Sequence, residues 1–377
     1  MENQVIRKKI RSTILGAVLG DALGGPFEFN RPEWVQYRLP EMWFDTLFDY
    51  PCGENTHGIW GKSAPAGTGT DDTRYNWLFL ELAREINHIP SPMELAERFL
   101  DVYAHPAVYF PTDPEMARAQ FKAWEPVCQG YLGRRSSLLP DVSPEVLRGT
   151  SVGLNFPSLI GLITLTTAGT LFSGNPSEAY IKSYEADFVD LAYAKECVGL
   201  LAYIVSALLP GDRDTREVID EALTVDPLHL GGMFGGPFAK MKLPALLRSL
   251  PPSCTERELA EYLSRALRHY HEYDPYRTLA IAICAVYAFP DDPMKALVTA
   301  ANHREIEPDG TPGRYLDIDC YACVTGAIAG AASDPAQWPE TLFAQVVESN
   351  RQVYGIDLEK TIAEISELVI SSSRSHR

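Results

Sequence analysis

The chain has 377 residues, 46% hydrophobic and 22% charged, the balance of an ordinary globular protein. That length suits one large domain or two small ones. Fifty acidic residues against 33 basic ones give a formal net charge of −17, which argues against nonspecific binding to nucleic acid or to an anionic membrane.

Most segments carry a helical period. Residues 1–11 are basic and residues 14–20 apolar, but the apolar run is short and breaks at Asp21, so a helix over 7–23 is expected rather than a signal peptide. Ile10, Ile14, Ala17, Val18 and Asp21 share one face of it, and Gly16 and Gly20 form a flat strip where another helix can come close. Helices are predicted over 72–86, over 92–103 with Ser91 and Glu94 as a capping box, and over 115–124 with Pro126 as its stop. Three follow over 159–172, over 176–188 with Asn175 as cap, and over 190–209. The remainder span 215–224, 256–270, 276–289, 293–302, 319–332, 339–354 and 358–371. Residues 31–69, 128–155 and 303–316 read as long loops, and the Gly-rich stretch 230–237 as a further loop or a plain turn. Strand-like alternation is nearly absent, no fixed repeat stands out, and no apolar run approaches bilayer length. The expected fold is one all-α domain, residues 1–377. Seven scattered cysteines are not a disulfide framework and fit a reducing cytoplasm.

Two paired-carboxylate motifs stand out. Gly67-Thr68-Gly69-Thr70-Asp71-Asp72-Thr73 opens one predicted helix and Leu316-Asp317-Ile318-Asp319-Cys320 opens another. Asp and Thr are common helix caps, and that structural explanation suffices for either motif taken singly. A cap needs one oxygen, however, whereas here paired carboxylates occur twice, beside hydroxyls and small residues. Four such carboxylates facing one another repel unless cations lie between them, and hard oxygen ligands suit Mg2+. A third acidic element is Gly20-Asp21-Ala22-Leu23-Gly24-Gly25-Pro26-Phe27-Glu28. From spacing alone, Asp21 caps neighbouring backbone and Glu28 is solvated.

The succession Gly-Asp-Ala-Leu-Gly with Glu28, then Thr-Asp-Asp-Thr, then Asp-x-Asp leading into Thr325-Gly326-Ala327-Ile328-Ala329-Gly330-Ala331, resembles the ADP-ribosylglycohydrolase family over most of the chain. The resemblance implies an all-α orthogonal bundle with a centre of one or two Mg2+ ions, Mn2+ being an alternative. By position it makes Thr70, Asp71, Asp72, Asp317 and Asp319 metal ligands and gives Glu28 and Asp319 catalytic roles. It places Gly69, Asn155 and Phe156 at the substrate. It also implies cleavage of the bond between an ADP-ribosyl or related ribosyl group and its acceptor, an oxocarbenium-like reaction in which carboxylates and metal ions activate water. Asn302 resembles the Asn upstream of the family's last motif.

The chain also departs from the family's pattern. Cys320 stands where the family has a Thr ligand, the Gly-Gly before the last motif is missing, and residues 304–314 are an insertion. A Met-Arg segment and a Thr-His pair are replaced by Leu154-Asn155-Phe156-Pro157 and Val189-Asp190. Two rival functions therefore stand beside the hydrolase: an inactive ligand-binding or structural relative of the crystallin kind, and a metal-dependent phosphohydrolase, although no nucleophile or basic phosphate clamp is evident. Lesser candidates are the Cys320–Cys323 pair for redox chemistry, and His57 and Trp60 for stacking. His269 and His271 read as surface residues.

Overall fold

The structure is a computed structural model that describes residues 2–31, 35–36, 38–50, 64–148, 157–230 and 238–375. Among the described residues it contains eighteen α-helices and one two-stranded antiparallel sheet, the all-α architecture expected.

Helix α1 (Glu2–Gly24) runs into a short 3-10 turn, Gly25–Phe27, that delivers Glu28. Helix α2 (Asp71–Ile86) starts at Thr70, whose hydroxyl accepts from the Asp72 N–H, and stops at Asn87 in the left-handed region. Helix α3 (Pro92–Ala104) has the predicted Ser91–Glu94 capping box. Helices α4 (Pro106–Tyr109), α5 (Pro114–Lys122) and α6 (Glu125–Tyr131) follow. Pro126 begins α6 instead of only ending its predecessor, because the first turn of a helix has no use for the missing N–H. With α7 (Pro144–Arg148), α6 also puts helix into the expected 128–155 loop.

The predicted 159–172 helix is broken into α8 (Ile160–Thr164) and a 3-10 turn, Ala168–Phe172. The Thr166 hydroxyl donates to the carbonyls of Leu162 and Ile163 at 2.9 and 2.8 Å, competing with the helical ladder at the break. Helix α9 (Pro176–Ala186) follows Asn175, which occupies the cap position but donates its amide to Glu178 and caps nothing with its side chain. Helices α10 (Tyr193–Leu208), α11 (Thr215–Ala222), α12 (Phe238–Arg248), α13 (Glu256–Ala266), α14 (Pro275–Ala288) and α15 (Pro293–Ala301) complete the middle of the chain. Of these only α12 lacks a counterpart in the sequence prediction; Pro244 inside it masks the pattern. The expected loop 303–316 is instead a hairpin, β1 (Arg304–Ile306) with β2 (Pro312–Tyr315), too short for alternation to register. Helices α16 (Ile318–Ala332), α17 (Glu340–Tyr354) and α18 (Leu358–Ser375) close the chain. One continuous apolar core extends from Ile10 to Val369, and no helix among the described residues is long and apolar enough to cross a membrane.

The contact that organises this core is α1 against α16, running antiparallel with almost no side chain between them. A Cβ on Gly16 would lie 2.5 Å from the Gly326 carbonyl oxygen, one on Gly20 2.0 Å from that of Ala322, and one on Gly24 2.4 Å from the Asp319 nitrogen. From the other side, Gly326 would meet the Gly16 oxygen at 1.9 Å and Gly330 the Ser12 oxygen at 2.2 Å. The far end of α16 is closed by Lys9, whose ammonium donates to the carbonyls of Ala331, Ala332 and Ser333, each at 2.8 Å. Burial pulls the Lys9 pKa down to about 8.

Gly326→Ala is expected to destabilise the fold by about 3 kcal/mol or more, since both partners at the clash are backbone and cannot rotate away. Lys8→Ala, on the exposed face of α1, should stay within about 0.5 kcal/mol. Urea titration of both variants measures the difference; equal stabilities would mean that the helices can separate at no cost.

Candidate metal centre

Three segment ends meet above the α1–α16 contact. The end of α1 and its 3-10 turn supply Asp21 and Glu28, the start of α2 supplies Thr70 to Thr73, and the start of α16 supplies Asp317, Asp319 and Cys320. Backbone bonds fix Glu28 beside the last group, because Phe29 N–H donates to the Leu316 carbonyl at 3.3 Å and Tyr315 N–H to that of Asn30 at 3.0 Å.

Asp21 does cap backbone, but not its neighbours. Its carboxylate accepts the Thr70 N–H at 2.8 Å and the Thr73 N–H at 3.0 Å, and takes the Thr73 hydroxyl as well. Asp21 thus anchors the start of α2 to the end of α1. Burial lifts its pKa to about 6 against the opposing effect of these hydrogen bonds.

Of the five predicted ligands, Thr70, Asp72, Asp317 and Asp319 bring their side chains together. The Thr70 hydroxyl donates to Asp319 Oδ2 at 3.1 Å, the Cys320 N–H to Asp319 Oδ1 at 2.8 Å, and the Cys320 thiol to Asp72 Oδ1 at 3.3 Å. Asp72, Asp319 and Cys320 each offer a ligand atom within 4.8 Å of the others, and so do Glu28, Asp317 and Asp319. Asp319 belongs to both groups. Asp72 Oδ2 and Asp317 Oδ2 are buried with no hydrogen-bond partner among the described residues. Buried carboxylate oxygens left bare are costly, and a hard divalent cation is the partner this donor set fits. Asp71, half-buried at the first position of α2, lies outside both groups and acts on them as a nearby charge.

Glu28 is not solvated as its spacing suggested; it is buried. Burial and the charges of Asp319, Asp317 and Asp71 push its pKa well above the usual carboxyl range, and it hydrogen-bonds Asp317, which burial raises to about 7. Asp72 and Asp319 are raised for the same reasons, burial first. The positive ends of α2 and α16 only partly offset this repulsion.

Gly69 carries no side chain because a Cβ would lie 2.1 Å from the Thr73 hydroxyl oxygen and 2.7 Å from Asp21 Oδ2. Its N–H donates to Asn350 Oδ1 at 3.1 Å and its carbonyl accepts the Tyr354 hydroxyl at 2.6 Å. Asn350 also donates to the Gly67 carbonyl at 3.1 Å, and Arg74 supports Tyr354 at 2.9 Å. Helix α17 therefore holds the loop that presents Thr70, a role the sequence prediction missed. The available signal was one polar residue, Asn350, on the apolar stripe of Phe343, Val346, Val347 and Tyr354. Tyr273 was also missed: half-buried, it senses the charges of Asp317 and Glu28 and meets the Phe29 ring edge-on at 5.5 Å.

Other candidates lie elsewhere. Asn302 ties Phe44 to α15 through both backbone groups of Phe44, at 3.1 and 2.7 Å. Asp190 accepts the N–H groups of Ser158 and Gly161 at 2.9 and 2.8 Å, bracing the start of α8. Cys323 packs with Ala17 and Ala327. Asn155, Phe156, His57 and Trp60 lie outside the described residues.

The sequence profile of the ADP-ribosylglycohydrolase family matches residues 2–374. The chain belongs to the ADP-ribosylglycohydrolase family. A solved structure described as an "ADP-ribosylglycohydrolase-related protein complex" aligns with a TM-score of 0.56 over 97% of this chain and 98% of its own, at 17% identity. At that identity the likeness speaks for the fold alone. No curated protein sequence matches the chain.

Carboxyls raised by burial make this ADP-ribosylglycohydrolase fold sensitive to pH when no cation is present. The folded state holds protons that the unfolded chain has released, so stability falls as pH rises from about 4, the unfolded carboxyl value, through about 6 and 7 for Asp21 and Asp317. In EDTA the Tm should drop by several degrees between pH 5 and pH 8, and Mg2+ should restore it at pH 8. A flat profile would mean that the carboxylates are balanced without a cation.

Proposed function

We propose that the protein is a metal-dependent hydrolase that cleaves the glycosidic bond of an ADP-ribosyl or related ribosyl compound. The observation that carries this reading is the convergence of Glu28, Asp72, Asp317 and Asp319 on two groups that share Asp319 and leave two buried oxygens bare. Thr70, Asp72, Asp317 and Asp319 would hold one or two ions, Mg2+ or Mn2+, with the Asp71 charge beside them. Such an ion supplies charge neutralisation and acidity toward water and ribose hydroxyls.

The chain's own groups do the rest. Thr70 fixes the orientation of Asp319 through its hydroxyl. Glu28 hydrogen-bonds Asp317 and has a raised pKa, which equips it to take a proton from an attacking water or return one to the leaving group. Asp319 orients that water. Gly69 keeps the floor of the site open, and the substrate-binding role of Asn155 and Phe156 rests on the sequence resemblance alone. The reading includes a single domain, supported by the continuous core, and a cytoplasmic setting.

Glu28→Gln should retain the fold and most of the metal affinity yet lower kcat by about a hundredfold or more, the scale of lost acid–base help. The assay is release of ADP-ribose or ribose from arginine-, serine- and nucleobase-linked conjugates with Mg2+ present. A wild-type protein inert on every conjugate but able to bind ADP-ribose would instead be a binding relative, and one active only on phosphate esters a phosphohydrolase.

Cys320 gives the Asp72 group a soft sulfur among hard oxygens. Cys320→Thr should tighten Mg2+ or Mn2+ at one of two positions by about tenfold, roughly 1.4 kcal/mol. Calorimetric titration of wild type and variant decides it; identical isotherms would remove Cys320 from the metal site.

A further inference from the structure

The loop between α13 and α14 and the hairpin β1–β2 line a cavity of about 360 Å3. It adjoins the metal centre at Leu316, but none of the clustered carboxylates lines it. In a chain of net charge −17, this cavity is lined by three arginines and two histidines against two glutamates. Both glutamates, Glu272 and Glu305, are engaged by the guanidinium of Arg314. That leaves Arg268 and Arg277.

Arg277 is 4% exposed. Nη1 donates to the Tyr270 carbonyl at 2.9 Å, the guanidinium stands 6.0 Å from the Tyr321 ring centre, and Nε is buried with no partner. Arg268 is exposed at the rim. Neither forms an ion pair with a carboxylate among the described residues. A guanidinium cannot shed its proton, and a buried one ordinarily has an anionic partner. One carbonyl and one ring give Arg277 no anionic partner, and its buried Nε–H goes unanswered. A planar fork of N–H donors matches tetrahedral oxyanions in particular.

We propose that this cavity binds a small oxyanion of the phosphate class, held by Arg277 from within and Arg268 at the rim. The site is separate from the metal centre, and the hairpin insertion forms one of its walls. It does not depend on the hydrolase reading, because its ligand is bound without metal.

The test is calorimetric titration of the full chain with sodium phosphate and with pyrophosphate, in EDTA. Saturable binding is expected, weakened about tenfold in Arg268→Ala, lost in Arg277→Met and unchanged in Asp72→Asn. Arg277 braces a loop and its variant could misfold, so the exposed Arg268→Ala variant carries the decision. The proposal fails if wild type shows no saturable binding or if Arg268→Ala binds as well as wild type. It also fails if Asp72→Asn abolishes binding, or if ADP-ribose displaces phosphate competitively, since the cavity would then be part of the substrate cleft.

Discussion

Helix α1 lies on α16 with backbone against backbone at successive turns, and the rest of the molecule is arranged around that contact. Glycines at 16, 20, 24, 326 and 330 remove the side chains that would hold the axes apart. The approach sets the end of α1 beside the start of α16, which is why Asp21 and Glu28 lie within reach of Asp317 and Asp319. Asp21 then carries the geometry onward by gripping the start of α2. Position at the carboxylates is therefore inherited from packing, and hydrogen bonds from Thr70, Thr73 and Cys320 set their orientation.

The same arrangement concentrates charge in a buried place. Carboxylates taken out of water and set side by side oppose folding, and helix ends compensate only in part. The repulsion is tolerable because the surrounding contacts are rigid. Asn350 and Tyr354 grip the loop before α2 through its backbone, so the loop cannot relax to spread the charges. The two groups are also unequal. The one holding Glu28 and Asp317 is all oxygen, whereas the one holding Asp72 includes a thiol.

Much of this was legible in the sequence because the signals were local. Caps such as Ser91 with Glu94, and proline at first turns, mark helix starts within a few residues. Gly16 and Gly20 announced the close face, and the carboxylate pairs announced a shared site. What stayed hidden was non-local or brief. Nothing near Asp21 says that its partners are Thr70 and Thr73, and nothing near Asn350 says that it holds Gly67 and Gly69. Glu28 follows a turn-forming Gly-Gly-Pro and so looks solvated; only the strand-like pairing of residues 29–30 with 315–316 buries it. The hairpin is too short to show a period of two, and Pro244 hides a helix that its neighbours support.

The glycine-faced contact also bears on the order in which the molecule is assembled. Helix α1 leaves the ribosome well before Gly326 and Gly330 do. Until α16 follows, the bare strip on α1 has no native partner, and loop closure across nearly the whole chain precedes any reward from it. The acidic centre is thus completed only once α16 has followed α1 and α2. A chain that lacks α16 therefore never carries the assembled charge.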